Sequence, residues 1–110
     1  MCPDGPYSKR AGYDLAVSAL GGLIGITGEP DRPPAKVGVP ITHVTTGIMA
    51  QGAICAALFA RVRTGHGQRI DLSLMETQLS VLVNMASSYL ISGEVPRRWG
   101  TAHHFSLSRI

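Results

Sequence analysis

The sequence predicts an α/β fold that is incomplete within this chain: a helix, a proline-rich connector, a buried helix, a strand and a last helix. Apolar residues recur at helical spacing in three segments, whereas one short segment between two of them alternates apolar and polar residues. A single strand needs neighbouring strands for its backbone hydrogen bonds. We therefore expect the sheet to be completed by other segments of a larger protein or by a partner.

The first helix is predicted within the segment GYDLAVSALGGLIGITG, whose apolar residues fall near one face: Leu15, Ala19, Leu23 and Ile26. Gly21 and Gly22 weaken this helix, and Gly28 is placed to end it at the C′ position. Residues 29–40 follow with four prolines, each of which fixes φ and removes a hydrogen-bond donor. This segment is predicted to be an extended connector.

The second helix is predicted from about Thr45 to Val62, with Arg61 and Arg63 near its negative end. Three hydroxyl residues are candidates to cap its start: Thr42, Thr45 and Thr46. Its small and apolar residues occur on almost every side, so we expect most of its surface to be buried. A membrane span is the alternative, but Gln51 and the many small residues make the segment only weakly lipophilic.

The strand is predicted in RTGHGQRIDLSL, after a turn that contains Gly65 and Gly67, because Ile70, Leu72 and Leu74 alternate with polar residues. The last helix is predicted from Met75 to Ile91, with Glu76 in its first turn and an apolar side made of Leu79, Leu82, Val83, Ala86 and Leu90. Gly93 and Pro96 are expected to end it.

Composition excludes several classes of function. The chain has 110 residues and a net charge of +3, but its basic residues are scattered and only 5% of its residues are aromatic, so nucleic-acid binding is not expected. Cys2 and Cys55 do not form a disulfide framework, which favours a reducing compartment. The first ten residues contain neither an apolar signal core nor an Arg-rich transit pattern.

From the residues alone, no catalytic constellation is evident. The four histidines are dispersed and no cysteine lies at ligand spacing, so no metal site is predicted. Ser18, Ser87 and Ser88 lack an identifiable His and Asp around them. Asp14 is interpreted as an acid that stabilises the start of a helix, and His43 lies at the start of the second helix.

Four segments together resemble one enzyme family: GPYSKRAGYD, PITHVTTGIMAQGAICAAL, RTGHGQRIDLSLMETQ and RRWGTAH. In this order they are similar to the middle of family III CoA-transferases. The resemblance runs from about Gly5 to His103. It implies that residues 1–110 are a partial CoA-transferase family III domain, a central fragment of that fold, in which residues 104–110 form a divergent tail.

The resemblance implies an enzyme with a Rossmann-like large domain and a smaller domain, assembled as an interlocked homodimer. It implies transfer of CoA from a succinyl-CoA-like donor to a glutarate-like dicarboxylic acid through a covalent carboxylate relay. A CoA thioester is then a substrate, no tightly bound cofactor is needed, and neither nucleic acid nor membrane is a partner. We expect a mitochondrial location in an animal and a cytoplasmic one otherwise, although the chain shows no targeting segment.

The resemblance also assigns site residues. Tyr13 falls beside the CoA thioester, with Ala11 and Gly47 as further CoA-binding residues, and Asp14 falls on an acidic active-site position. The family's nucleophilic aspartate belongs to a TD-x-x-TG pattern, and His43 occupies its place here.

The histidine leaves three interpretations open, because an acyl-imidazole is labile to water and histidine cannot form the anhydride of the relay. The chain is part of a CoA-transferase, with His43 and Asp14 as catalytic candidates. Alternatively, it is a catalytically inactive fragment that binds acyl-CoA or pairs with an intact subunit. In the third interpretation, His43 acts as a base in racemisation or as an acyl carrier in hydrolysis.

Overall fold

The structure is a computed structural model that describes residues 5–102. Within these residues it contains five helices: α1 (Asp14–Leu20), α2 (Leu23–Ile26), α3 (Ile41–Thr64), α4 (Leu74–Val81) and α5 (Asn84–Ser92). Helix α4 packs against α3 and α1, and α1 also contacts α2 and α3. The tail predicted at residues 104–110 lies outside the described residues.

The first predicted helix is divided into two at its glycine pair. Gly21 is the C-cap of α1, and Gly22 adopts a left-handed φ of 87° that non-glycine residues rarely take. Helix α2 ends at its C-cap Thr27, and Gly28 follows with a φ of 113° in the predicted C′ position. Residues 29–40 contain no helix or strand, which confirms a connector, although its first residues form a turn closed by the Arg32 N–H donating to the Glu29 carbonyl at 3.3 Å.

Helix α3 is confirmed but begins earlier than predicted, immediately after Pro40. The candidate threonines do not cap it: the hydroxyl of Thr45 donates to the Ile41 carbonyl at 2.8 Å, and that of Thr46 donates to the Thr42 carbonyl at 2.6 Å. At the other end, Arg61 and Arg63 lie in the last turn as predicted.

The prediction that α3 is buried is wrong for this chain, because Thr42 is its only buried residue. The packing of α1 and α4 covers one part of α3, and the other described segments leave its apolar residues exposed. By length and composition, α3 is also long and apolar enough to cross a membrane.

The predicted strand, and with it the incomplete sheet, is not confirmed. Residues 66–73 have no assigned strand, and no strand occurs elsewhere between residues 5 and 102. The physical reason is that an extended segment without a neighbouring strand cannot form the backbone hydrogen bonds of a sheet. The helical part of the predicted architecture remains, and the α/β class is not visible in the described residues.

The last predicted helix consists of α4 and α5. Ser73 caps α4, since its Oγ accepts from the Glu76 amide at 3.1 Å and donates to the Glu76 carboxylate at 2.8 Å. Helix α5 ends at Gly93, whose φ of 74° confirms the predicted stop. Between the helices, Val83 has a φ of 45°, which is strained for a β-branched residue.

Two side chains tie distant segments together. Gln78 on α4 is fully buried, and its Nε2 donates to the Gly21 carbonyl at 2.9 Å, which fixes α4 against the end of α1. Arg98 donates to the carbonyls of Gly25, Glu29 and Pro30 at 3.1 to 3.4 Å. The segment that follows α5 is therefore held against the α2 loop.

The chain buries little apolar surface. Val17 is the only large hydrophobic residue that is buried among the described residues. The radius of gyration is 17.3 Å, whereas a compact domain of this length has one of about 13 Å. An apolar groove of about 710 Å³ runs along α2, α4 and α5, and four residues of the predicted apolar side line it: Leu79, Leu82, Ala86 and Leu90.

Candidate active site

The carboxylate of Asp14 lies at the N-terminus of α3, although Asp14 itself belongs to α1. Its Oδ1 accepts hydrogen bonds from the Thr42 backbone N–H at 2.8 Å and from the Thr42 hydroxyl at 2.5 Å. The His43 N–H is also within range at 3.4 Å. The first N–H groups of a helix have no partner within the helix, so Asp14 caps α3 from a neighbouring element.

This environment keeps Asp14 ionised. Burial raises the pKa of the carboxyl, but the hydrogen bonds from Thr42, and then those from His43, outweigh it, so the pKa of Asp14 lies below its ordinary value. Donors directed at a carboxylate favour its charged form. The site therefore presents a fixed negative charge at neutral pH.

The structure brings the two predicted catalytic candidates together. Nδ1 of His43 lies 3.5 Å from Oδ1 of Asp14, and the two side chains are 49% and 21% exposed. The residues are separated by 29 positions of chain and meet because α1 packs on the start of α3. Half of the imidazole remains accessible to solvent, so it is free to contact a ligand.

A small pocket opens beside Asp14. Its volume is about 280 Å³, and it lies between α1 and the end of the connector; its lining consists of Tyr13, Asp14, Leu15, Ser18 and residues 36–40. The lining combines a carboxylate, a hydroxyl, a lysine and several aliphatic side chains. Ligand pockets have this mixture of apolar walls and a few polar groups, although most are larger.

The predicted CoA-binding residues are distributed unevenly around this pocket. Tyr13 lines it and is 59% exposed. Ala11 is exposed and does not line it. Gly47 lies on α3 one turn beyond His43, and a Cβ at this position would meet no atom within 4 Å. Tyr13 and Asp14 thus share the pocket, whereas Ala11 and Gly47 are outside it.

Two pocket residues are not among the predicted site residues: Ser18, which was considered only as a nucleophile, and Lys36. Ser18 is 4% exposed, and its Oγ has no hydrogen-bond partner among the described residues. Lys36 lies in the connector and contributes the pocket's only lysine. The signal for Ser18 was its position four residues after Asp14, which places both side chains on one face of α1. Nothing in the sequence indicated that the connector folds Lys36 back onto that face.

A metal site has no support in the described part of the chain. No three His, Cys, Asp or Glu side chains between residues 5 and 102 lie close enough to share an ion. The polar side chains that line the pocket are the carboxylate of Asp14, the hydroxyl groups of Tyr13 and Ser18 and the amine of Lys36, and the His43 imidazole lies beside it in contact with Asp14.

Comparison with known proteins relates this chain to the CoA-transferases. The sequence model of CoA-transferase family III matches residues 2–109. The chain is 48% identical over 99 residues to a succinate–glutarate CoA-transferase of Agrobacterium fabrum, which covers 90% of this chain and 25% of that protein. It is 46% identical over 99 residues to a succinyl-CoA:glutarate CoA-transferase of Homo sapiens, with coverage of 90% and 23%.

A solved structure agrees with these relatives. The crystal structure of a CAIB/BAIF family protein from Brucella suis superposes with a TM-score of 0.87 at 48% identity, covering 92% of this chain and 27% of that one. The present chain thus spans about a quarter of the length of the curated relatives that it matches.

Proposed function

Because the chain belongs to family III of the CoA-transferases, we propose that it is the active-site portion of an enzyme that transfers CoA between dicarboxylic acids. The donor is a succinyl-CoA-like thioester, and the acceptor is a glutarate-like acid. The names of the relatives support this choice of substrates. The single observation that carries the proposal is the Asp14 carboxylate, held at the start of α3 beside a pocket.

The pocket suits a short dicarboxylate chemically. Lys36 supplies a positive charge for a carboxylate, and Leu15, Val37 and Val39 supply apolar surface for methylene groups. Backbone N–H groups at the start of a helix stabilise negative charge that develops on a reacting group. The arrangement supports chemistry at a thioester rather than recognition of a large polymer.

The proposal is tested by isothermal titration calorimetry of the 110-residue chain with succinyl-CoA, followed by analysis of the mixture for glutaryl-CoA after glutarate is added. We expect saturable binding, and weaker binding by the Lys36→Met variant than by the Lys9→Met variant, which changes a lysine outside the pocket. No saturable heat with succinyl-CoA would overturn the proposal.

A second candidate function is favoured by His43. Since the family's nucleophilic aspartate is replaced, the chain is a fragment that binds acyl-CoA, or pairs with an intact subunit, without catalysing transfer. Saturable binding with no adduct and no glutaryl-CoA would favour this function. Transfer that appears only in the His43→Asp variant would show that the replacement is the cause.

We further propose that the exposed apolar surfaces are covered in a homodimer, as the family resemblance implies. The support is the exposure of α3 and of the groove along α2, α4 and α5. Exposed apolar patches of this kind are typical of interaction surfaces. Sedimentation equilibrium tests it: a monomer at all concentrations would contradict it.

A further inference from the structure

We infer that Asp14 supplies the nucleophilic carboxylate in this chain, the role that the family pattern gives to the position of His43. The inference rests on the proposed CoA transfer and deepens it by naming the residue that carries the covalent intermediates. It also explains how a chain with histidine at position 43 could retain a carboxylate relay.

The first support is the orientation of the carboxylate. All the hydrogen bonds that Asp14 accepts from Thr42 and His43 use Oδ1. Within the described residues, Oδ2 is therefore available to a ligand. Asp14 lines the 280 Å³ pocket, whereas His43 does not. A thioester bound in this pocket would meet the carboxylate before the imidazole.

The second support is the buried hydroxyl of Ser18. It lies one helical turn after Asp14 on the same face, and Cβ atoms at this spacing are about 5–6 Å apart. A buried hydroxyl without a partner is costly unless a ligand satisfies it. With 4% exposure and no partner among residues 5–102, the Ser18 Oγ is placed to donate to the carbonyl oxygen of an acyl group held on Asp14.

The third support is the charge at the pocket. The negative charge of Asp14 would repel a dicarboxylate substrate, and Lys36 in the same lining offsets this repulsion. Succinyl-CoA and a dicarboxylic acceptor each carry a carboxylate that does not react. An ammonium group can pair with that carboxylate, so both substrates can be oriented in the same way.

The chemistry balances without a further reactant. Oδ2 of Asp14 attacks the thioester carbonyl carbon, the C–O bond forms, and the C–S bond breaks to release the CoA thiolate. The thiolate then attacks the Asp14 carbonyl carbon, which releases succinate and leaves an aspartyl-CoA thioester. The acceptor carboxylate attacks that carbonyl and expels the thiolate, which finally attacks the acceptor's acyl carbon. No net proton or electron is transferred, and the Asp14 carboxylate is restored.

The inference is tested by incubating the full 110-residue chain with succinyl-CoA and trapping the aspartyl thioester with hydroxylamine as a stable hydroxamate. Trypsin cleaves after Arg10, Lys36 and Arg61, so Asp14 and His43 fall in different peptides, residues 11–36 and 37–61. We expect the hydroxamate in the first peptide, located at Asp14 by fragmentation in the mass spectrometer.

The variants separate chemistry from structure. Asp14→Asn keeps an oxygen that can accept from Thr42, so we expect normal helicity by circular dichroism and complete loss of the label. Asp31→Asn changes an exposed aspartate of the same peptide and should keep the label. Saturable succinyl-CoA binding with no labelled peptide would overturn the inference and leave acyl-CoA binding standing. Absence of binding would overturn both.

Discussion

Replacing Asp14 with alanine removes the carboxylate that caps α3. The backbone N–H and the hydroxyl of Thr42 then lose their hydrogen-bond acceptor. Loss of a helix cap costs about 1 kcal/mol, and a buried donor left without a partner costs about 1–3 kcal/mol. Thr42 is 1% exposed and the Asp14 side chain is 21% exposed, so solvent replaces the carboxylate only in part. We expect the start of α3 to lose about 2 kcal/mol of local stability. This corresponds to about a 30-fold loss of protection of its amide groups against hydrogen exchange.

Amide hydrogen exchange measured by NMR is the appropriate assay, because it reports the opening of the first turn of α3 rather than of the whole chain. The amide of Thr42 should show the loss, and amides in the last turn of α3 should not. Asp14→Asn is the matched control: it keeps an acceptor oxygen and loses only the charge, which is worth about 0.3–1 kcal/mol at a helix end. Unchanged protection at Thr42 in Asp14→Ala would refute the capping role.

Three further predictions concern pH and packing. The pKa of Asp14 is lower in the folded chain than in the unfolded one. The protection of amides at the start of α3 should therefore be constant above about pH 4 and fall as the pH decreases through the folded pKa. A loss of protection near neutral pH would contradict this. Gly21→Ala places a Cβ in the space of the Gln78 side chain and should destabilise the chain by about 1–3 kcal/mol in urea unfolding. Gly25→Ala is the control, because the space around Gly25 is open, and it should not destabilise the chain by this mechanism. Equal effects of the two variants would contradict the packing of Gln78 on Gly21. Ser73→Ala should cost α4 about 1 kcal/mol by amide exchange, and no change would contradict its capping.

Local signals in the sequence predicted some of the helix ends. Gly93 ends α5, Glu76 lies in the first turn of α4, and two arginines lie in the last turn of α3. These features depend on interactions within a few residues. The same is true of the connector, whose prolines exclude helix whatever surrounds them.

Features that depend on distant contacts were not predicted. The exposure of α3 and the absence of a ladder at residues 66–73 depend on which neighbours are present, and an apolar sequence does not specify them. The division between α4 and α5 at Val83 has no glycine or proline to indicate it. Nothing in the structure explains why the helix is interrupted at this valine.

In the candidate site, too, local features were predicted and features that depend on distant contacts were not. From the residues alone, Asp14 is interpreted as an acid that stabilises the start of its own helix, and it lies in the first turn of α1. That it also caps α3 through Thr42 was not predicted. Family resemblance assigns Asp14 and His43 to one site, and in the structure His43 Nδ1 lies 3.5 Å from Asp14 Oδ1. The place of Lys36 in the pocket depends on how the connector folds onto α1, which no local pattern encodes.

The most direct test of Asp14 as the nucleophile is a crystal structure of the Asp14→Asn variant bound to succinyl-CoA, since the variant binds the thioester without reacting. The account predicts that the thioester carbonyl carbon lies in the pocket, within about 3–3.5 Å of the terminal atoms of the side chain at position 14. Lys36 should then contact the free carboxylate of the succinyl group. A thioester placed over the His43 imidazole, with the side chain at position 14 beyond reach, would contradict the account.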